Sequence, residues 1–287
     1  MRAPHRGLAW AEKTEAGRTW LARLPGILRE CVEQWSLELG EPFPYAYVSL
    51  ALAARGPSGE DAVLKISFPH EESEHEGDAL ERWNGAGAVR LLAQDRLRRA
   101  LLIERCRPGT PLQELEHDEA LSVMIGLLPR LWLPAGAPFR SLTDEAASWI
   151  ESIPRQWEAF NRPFERKLVD AAVTHLAELG SSQGDHVLLH QDLHAENVLR
   201  AEREPWLVID PKPLAGEREF SPASVIRGFE LGHSQRAVRR SLDRLSAELG
   251  LDRERVRGWA LGQTIAWAFD PGYHAGHVET ARWLLAA

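Results

Sequence analysis

Two short apolar runs, set in a stretch that otherwise reads as helix, constrain this chain most. Leu188-Leu189 leads through His190-Gln191-Asp192-Leu193-His194-Ala195-Glu196-Asn197 into Val198-Leu199, and Trp206-Leu207-Val208-Ile209 then delivers Asp210-Pro211. Runs this short and this apolar read as buried strands. The chain must therefore wrap helices around a small β element whose connecting loops are polar, which makes the class α+β. The loops present Asp192, an Asn five residues on (Asn197), and a second Asp thirteen after that (Asp210).

This is the donor set that phosphoryl transfer needs. One carboxylate (Asp192) receives the acceptor hydroxyl's proton, while an amide (Asn197) and a second carboxylate (Asp210) hold Mg²⁺ on the nucleotide phosphates. The order Asp-x4-Asn and then Asp is that of the protein-kinase pattern. Lys65 adds to it. It lies inside the apolar run Ala62-Val63-Leu64-Lys65-Ile66-Ser67, where kinases keep the lysine that contacts the α/β-phosphates. Such a lysine needs a carboxylate on the next helix. Glu76 stands four residues before Leu80 and seven before Trp83, so it shares their inward face. Glu72 and Glu74 are the alternatives. His190-x-Asp192-x-His194 also admits a metal-cluster reading and with it a metal-dependent hydrolase, but that leaves Lys65 and Asn197 unexplained.

Upstream, Trp20, Leu21, Leu24, Ile27, Leu28, Cys31, Val32 and Trp35 recur at helical spacing, with Pro25 as an expected interruption. Strands are expected over Tyr45–Ala54, Ala62–Ser67, Ala88–Leu92 and Arg99–Glu104. A helix is expected over 72–83, closed at Asn84-Gly85-Ala86-Gly87. Pro108-Gly109-Thr110-Pro111 punctuates the chain. Beyond it, helices are expected over about 112–132, 142–160 and 164–179, then from 222 onward, with Trp259, Ile265, Trp267 and Trp283 as core anchors. The organisation is a sheet-rich lobe over 1–106 with one key helix, and a larger, mainly helical lobe over 107–287. Gly40-Glu41-Pro42-Phe43-Pro44-Tyr45-Ala46 occupies the place of a phosphate-cradling loop without its glycine signature. Glu104 and Cys106 sit where the connection between lobes would offer backbone groups to an adenine.

The net charge of −8 argues against nucleic acid or an anionic membrane as partner. The two cysteines, Cys31 and Cys106, read as small buried hydrophobes and not as a disulfide framework. With no signal-peptide pattern and no apolar run of spanning length, a cytoplasmic protein is expected.

On these words the sequence resembles the aminoglycoside/hydroxyurea phosphotransferases, and within them the streptomycin 6-kinases. The words are Leu189-His190-Gln191-Asp192-Leu193-His194-Ala195-Glu196-Asn197-Val198-Leu199, Trp206-Leu207-Val208-Ile209-Asp210-Pro211, Gly87-Ala88-Val89-Arg90-Leu91-Leu92 and Leu102-Ile103-Glu104-Arg105. The resemblance implies a two-lobed protein-kinase-like fold and ATP with Mg²⁺. It also implies a small-molecule acceptor of the antibiotic type, phosphorylated on a hydroxyl. Asp192 would be the base, Asn197 and Asp210 the metal ligands, and Lys65 the phosphate contact. A cationic acceptor would need carboxylates in the helical lobe, and Glu230 and Asp270 are the candidates. The family's aromatic-Asp pair, which braces the catalytic loop, is here Phe220-Ser221. That substitution leaves a weakly active or purely nucleotide-binding protein as the alternative reading.

Overall fold

The computed structural model describes residues 6–44, 48–269 and 272–287. The chain divides into two compact units, Met1–Gly109 and Thr110–Ala287.

The first unit is built on five antiparallel strands in the order β1-β2-β3-β5-β4. They are β1 (Glu38–Pro42), β2 (Ser49–Arg55), β3 (Asp61–Ser67), β4 (Leu91–Asp95) and β5 (Ala100–Glu104). A 21-residue helix α1 (Glu15–Trp35) packs on the sheet, with Thr14 capping its first turn by accepting from the Gly17 N–H. Pro25 sits inside α1 and does not end it. Trp20, Leu24 and Cys31 bury against Leu64, Ile66 and Leu102 of the sheet. The expected first strand is a hairpin partner and not the beginning of the sheet. Glu38–Pro42 pairs with β2 (Glu38↔Arg55, Pro42↔Leu52), so the Gly40-Glu41-Pro42 segment is strand. Tyr45 and Ala46 of the expected loop lie outside the described residues.

Helix α2 (Glu76–Trp83) is shorter than expected, because Glu71–Ser73 forms a separate 3₁₀ turn. It buries Glu76, Leu80 and Trp83 and stops at Asn84, which takes a left-handed φ of 47°. Strand β4 begins at Leu91, three residues later than expected.

In the second unit the expected helix over 112–132 splits into a 3₁₀ turn, Leu112–Glu114, and α3 (His117–Leu131). Strand β6 (Arg140–Ser141), α4 (Leu142–Ala159) and α5 (Arg166–Gly180) follow. The β element has strands β7 (His186–Leu189), β8 (Val198–Arg200), β9 (Trp206–Val208) and β10 (Leu214–Glu217). Strands β8 and β9 form a hairpin, while β7 pairs with β10. The chain closes with α6 (Ala223–Arg227), α7 (Gln235–Leu249), α8 (Arg253–Ala266) and α9 (Ala275–Leu285). Asp252 caps α8 through the Glu254 and Arg255 N–H groups, and Gly250 ends α7 with a φ of 63°. Trp259 and Ile265 are fully buried. Trp267 and Trp283, expected in the core, are only half-buried. Among the described residues no helix is long and apolar enough to cross a membrane.

Candidate active site

The register of two strand pairs assembles the polar loop. In the β8–β9 hairpin Val198 faces Val208, so the residues just outside it, Asn197 and Ile209-Asp210, emerge at the same end. The Ile209 N–H donates to the Asn197 carbonyl at 2.9 Å. In the β7–β10 pair Leu189 faces Leu214, and the Lys212 N–H donates to the His190 carbonyl at 3.1 Å. The segments 190–197 and 209–213 thus run side by side between two β ladders. Both carry a residue in the left-handed region, Gln191 (φ 62°) and Asp210 (φ 57°). Non-glycine residues held there cost roughly 1 kcal/mol or more, and such strain collects at functional sites.

His190 is buried and its Nε2 lies 2.9 Å from the Ile209 carbonyl. Burial pushes its pKa down to about 4, so it is neutral and structural. Asn197 donates its amide Nδ2 to the Asp192 carbonyl at 2.9 Å and approaches His194 Nε2 at 3.1 Å. Its amide orientation is therefore fixed from the nitrogen end. His194 Nδ1 lies 3.2 Å from Glu230 Oε1. Burial works against the His194 cation, but Glu230 and then Asp192 raise its pKa overall. His190, Asp192 and His194 do not converge as a metal cluster. Among the described residues, the His/carboxylate group whose ligand atoms do come together is His194, Glu196 and Glu230.

Asp192 is 14% exposed at the side chain and is met by two cations. Lys212 Nζ is 3.3 Å from Oδ2, and Arg227 Nη2 is 3.2 Å from Oδ1. Burial would raise the Asp192 carboxyl, yet Lys212, His194 and Arg227 together hold it well below the usual carboxylate range. Both cations rest on one indole: Lys212 Nζ lies 4.5 Å and the Arg227 guanidinium 4.2 Å from the Trp267 ring centroid. This explains why Trp267 is not a core anchor, since an open π face is needed to hold a cation. Trp283 likewise packs beside His233, at 4.7 Å between ring centroids.

In the first unit, Lys65 of β3 reaches both oxygens of Glu76 at 2.6 and 2.7 Å. Lys65 is 6% exposed and Glu76 1%. Glu76 is the first residue of α2, where a carboxylate also meets the positive end of the helix. Glu72 and Glu74 stay at the surface or half-buried. Glu104, on the last residue of β5, accepts the Arg90 N–H on its side chain at 3.0 Å, and its own N–H donates to the Arg90 carbonyl. Cys106 is half-buried, contrary to the expectation for both cysteines, while Cys31 is fully buried. Asp270 lies outside the described residues.

Sequence reasoning missed Lys212, Arg227, Glu145, Ser224 and Gln263. Arg227 stands in the apolar run Ala223-Ser224-Val225-Ile226, and Gln263 and Thr264 lie in a helix buried on all sides from Gly258 to Ala266. A polar residue in such surroundings is the signal that was there to be read.

Residues 34–272 match the family described as aminoglycoside/hydroxyurea antibiotic resistance kinase. A streptomycin 6-kinase of Streptomyces glaucescens is 39% identical over 268 residues, covering 90% of this chain and 87% of that one. A hydroxyurea phosphotransferase of Kitasatospora aureofaciens is 40% identical over 90% of this chain and 76% of its own. Among solved structures, the choline kinase LicA of Streptococcus pneumoniae aligns with a TM-score of 0.63 at 13% identity. That alignment covers 92% of this chain and 98% of the other, a likeness of fold alone.

Proposed function

The chain belongs to the aminoglycoside/hydroxyurea antibiotic resistance kinase family, and on that premise we propose that it transfers the γ-phosphoryl group of ATP to a hydroxyl of a streptomycin-like aminoglycoside or a related small molecule. The observation that carries this reading is the buried Lys65–Glu76 pair. A desolvated ion pair is expensive to maintain. In phosphoryl transfer it orients the lysine that holds the α/β-phosphates.

Asp192 accepts the acceptor hydroxyl's proton. The cations beside it keep it ionised and make it a weak base, so its first contribution is to orient the hydroxyl for in-line attack. Asn197 and Asp210 would hold Mg²⁺: an amide oxygen and a carboxylate are the hard oxygen donors it takes, and the Asn197 nitrogen is already committed to the Asp192 carbonyl. The metal would neutralise charge on the phosphates. Glu104 and Cys106 offer backbone groups to the adenine. Glu230, partly exposed beside His194, and Asp270 are the carboxylates proposed to face a cationic acceptor.

The test is a screen of aminoglycosides, hydroxyurea and simple sugars with labelled ATP, followed by Asp192→Asn against the best acceptor. Transfer should fall about 10²- to 10⁴-fold while the thermal-shift response to Mg-ATP persists. Full turnover in Asp192→Asn would refute the base. Failure of every acceptor would refute the function.

A further inference from the structure

Gln191 and Leu193, the residues on either side of Asp192, have their carbonyls held by side chains from two different helices. Gln263 of α8 donates its Nε2 to the Gln191 carbonyl at 3.0 Å, and Ser224 of α6 donates its hydroxyl to the Leu193 carbonyl at 3.1 Å. A third helix takes the Gln191 side chain, whose Nε2 donates to Glu145 Oε1 on α4 at 2.9 Å. Glu145 is in turn paired with Arg140. These groups are all buried: Gln263 at 0% exposure, Ser224 at 2%, Gln191 at 3% and Glu145 at 5%.

We propose that Gln263, with Ser224, positions the catalytic loop, clamping Gln191 in its left-handed conformation so that the Asp192 carboxylate is presented correctly. The proposal rests on the phosphotransferase reading above. A left-handed glutamine persists only where its surroundings over-determine it, and these bonds are that over-determination. The Gln263 Oε1 atom is buried with no hydrogen-bond partner. An orphaned buried acceptor is destabilising, and a side chain present only to fill space would avoid that by being Leu or Met. The donor end of Gln263 is what the position uses. Ser221, which stands where the resemblance would place a brace carboxylate, accepts from Trp132 Nε1 at 2.8 Å. The loop carbonyls beside Asp192 are held by neutral donors from α6 and α8.

The decisive variant is Gln263→Met, which keeps the volume and removes the donor. Its expected signature is a kcat lower by about 10- to 100-fold, as small misplacements of reacting groups produce. KM for ATP should stay within about twofold and the thermal midpoint within a few degrees, since loss of the orphaned oxygen offsets loss of the bond. An unchanged kcat, or a parallel fall of kcat, nucleotide affinity and stability, would overturn the proposal in favour of a packing role. A crystal structure of Gln263→Met should show Gln191 leaving positive φ and Asp192 moving away from Lys212 and Arg227; an undisturbed loop would overturn it as well. If the wild type turns over no acceptor, the phosphotransferase reading fails while the crystal structure still decides the positioning role. Should Gln263→Met not fold, Ser224→Ala provides the milder comparison, with an expected fall in kcat of about threefold or more and none in Mg-ATP binding.

Discussion

Charge pairing at single residues sets the chemistry of the candidate site. In Glu76→Gln the Lys65 ammonium stays buried without its carboxylate. Breaking a buried pair from one side costs about 3–5 kcal/mol, so urea unfolding of this variant should show that loss, with a matching fall in Mg-ATP affinity by calorimetry. Lys212 acts on Asp192 in the opposite sense from burial: it favours the carboxylate and lowers its pKa. A depressed pKa means activity survives into acid and is lost only when pH falls through that low value. Lys212→Met makes protonation easier, so the acid limb of the kcat/KM profile should move to higher pH. An unmoved limb would show that Lys212 does not tune the base. Asp192, Asn197 and Asp210 were legible because their spacing is a chain property. Lys212, Arg227 and Gln263 were not, because what they touch lies 20 to 72 residues away.

Secondary-structure elements place those residues through close approach. Helix α8 lies against α5 along a glycine seam: a Cβ at Gly262 would come within 2.5 Å of Leu176, and one at Gly258 within 2.8 Å of Leu179. Gly262→Ala must push the helices apart, costing about 1–3 kcal/mol, and it displaces the neighbouring Gln263. Thermal stability and kcat should therefore fall together, unlike the split expected for Gln263→Met. At the far end of α5, Glu165 accepts two bonds from Arg282 of α9. Arg282 holds the Glu165 carboxyl down to about 2. The pair's contribution is present above the ordinary glutamate pKa and is lost as pH falls toward 2. For so exposed a pair it is small, about 0.5 kcal/mol. Glu165→Gln should cost that much at pH 7 and nothing near pH 2 in denaturant titrations. The helices were legible from their periodicity, but their ends were not: the 3₁₀ turns before α2 and α3 share the helical pattern without the helical hydrogen bonding. Strand β1 was missed because Leu39-Gly40-Glu41-Pro42 is mostly exposed at a sheet edge and lacks strand alternation.

At the scale of the whole molecule each unit carries its own core, and the two cysteines report on the first. Burial raises the Cys31 thiol to about 11, whereas Cys106 is half-buried. A thiol reagent should modify Cys106 in the native protein and Cys31 only when the first unit unfolds; rapid labelling of both would contradict the packing of α1 on the sheet. The sequence by itself determined what is local or periodic. That includes the buried stripe of α1, the strand lysine with its glutamate one helical face away, the Asp-x4-Asn…Asp spacing, and with them the family and the class of reaction. Tertiary structure alone decided how Asp192 is held, with two cations on its oxygens, one indole beneath both, and buried amide and hydroxyl donors on the carbonyls beside it. The physical reason is range. Periodicity and spacing are written along the chain, whereas hydrogen bonds and ion pairs depend on distances of about 3 Å between residues that only the packing of α4, α6 and α8 around the loop brings together.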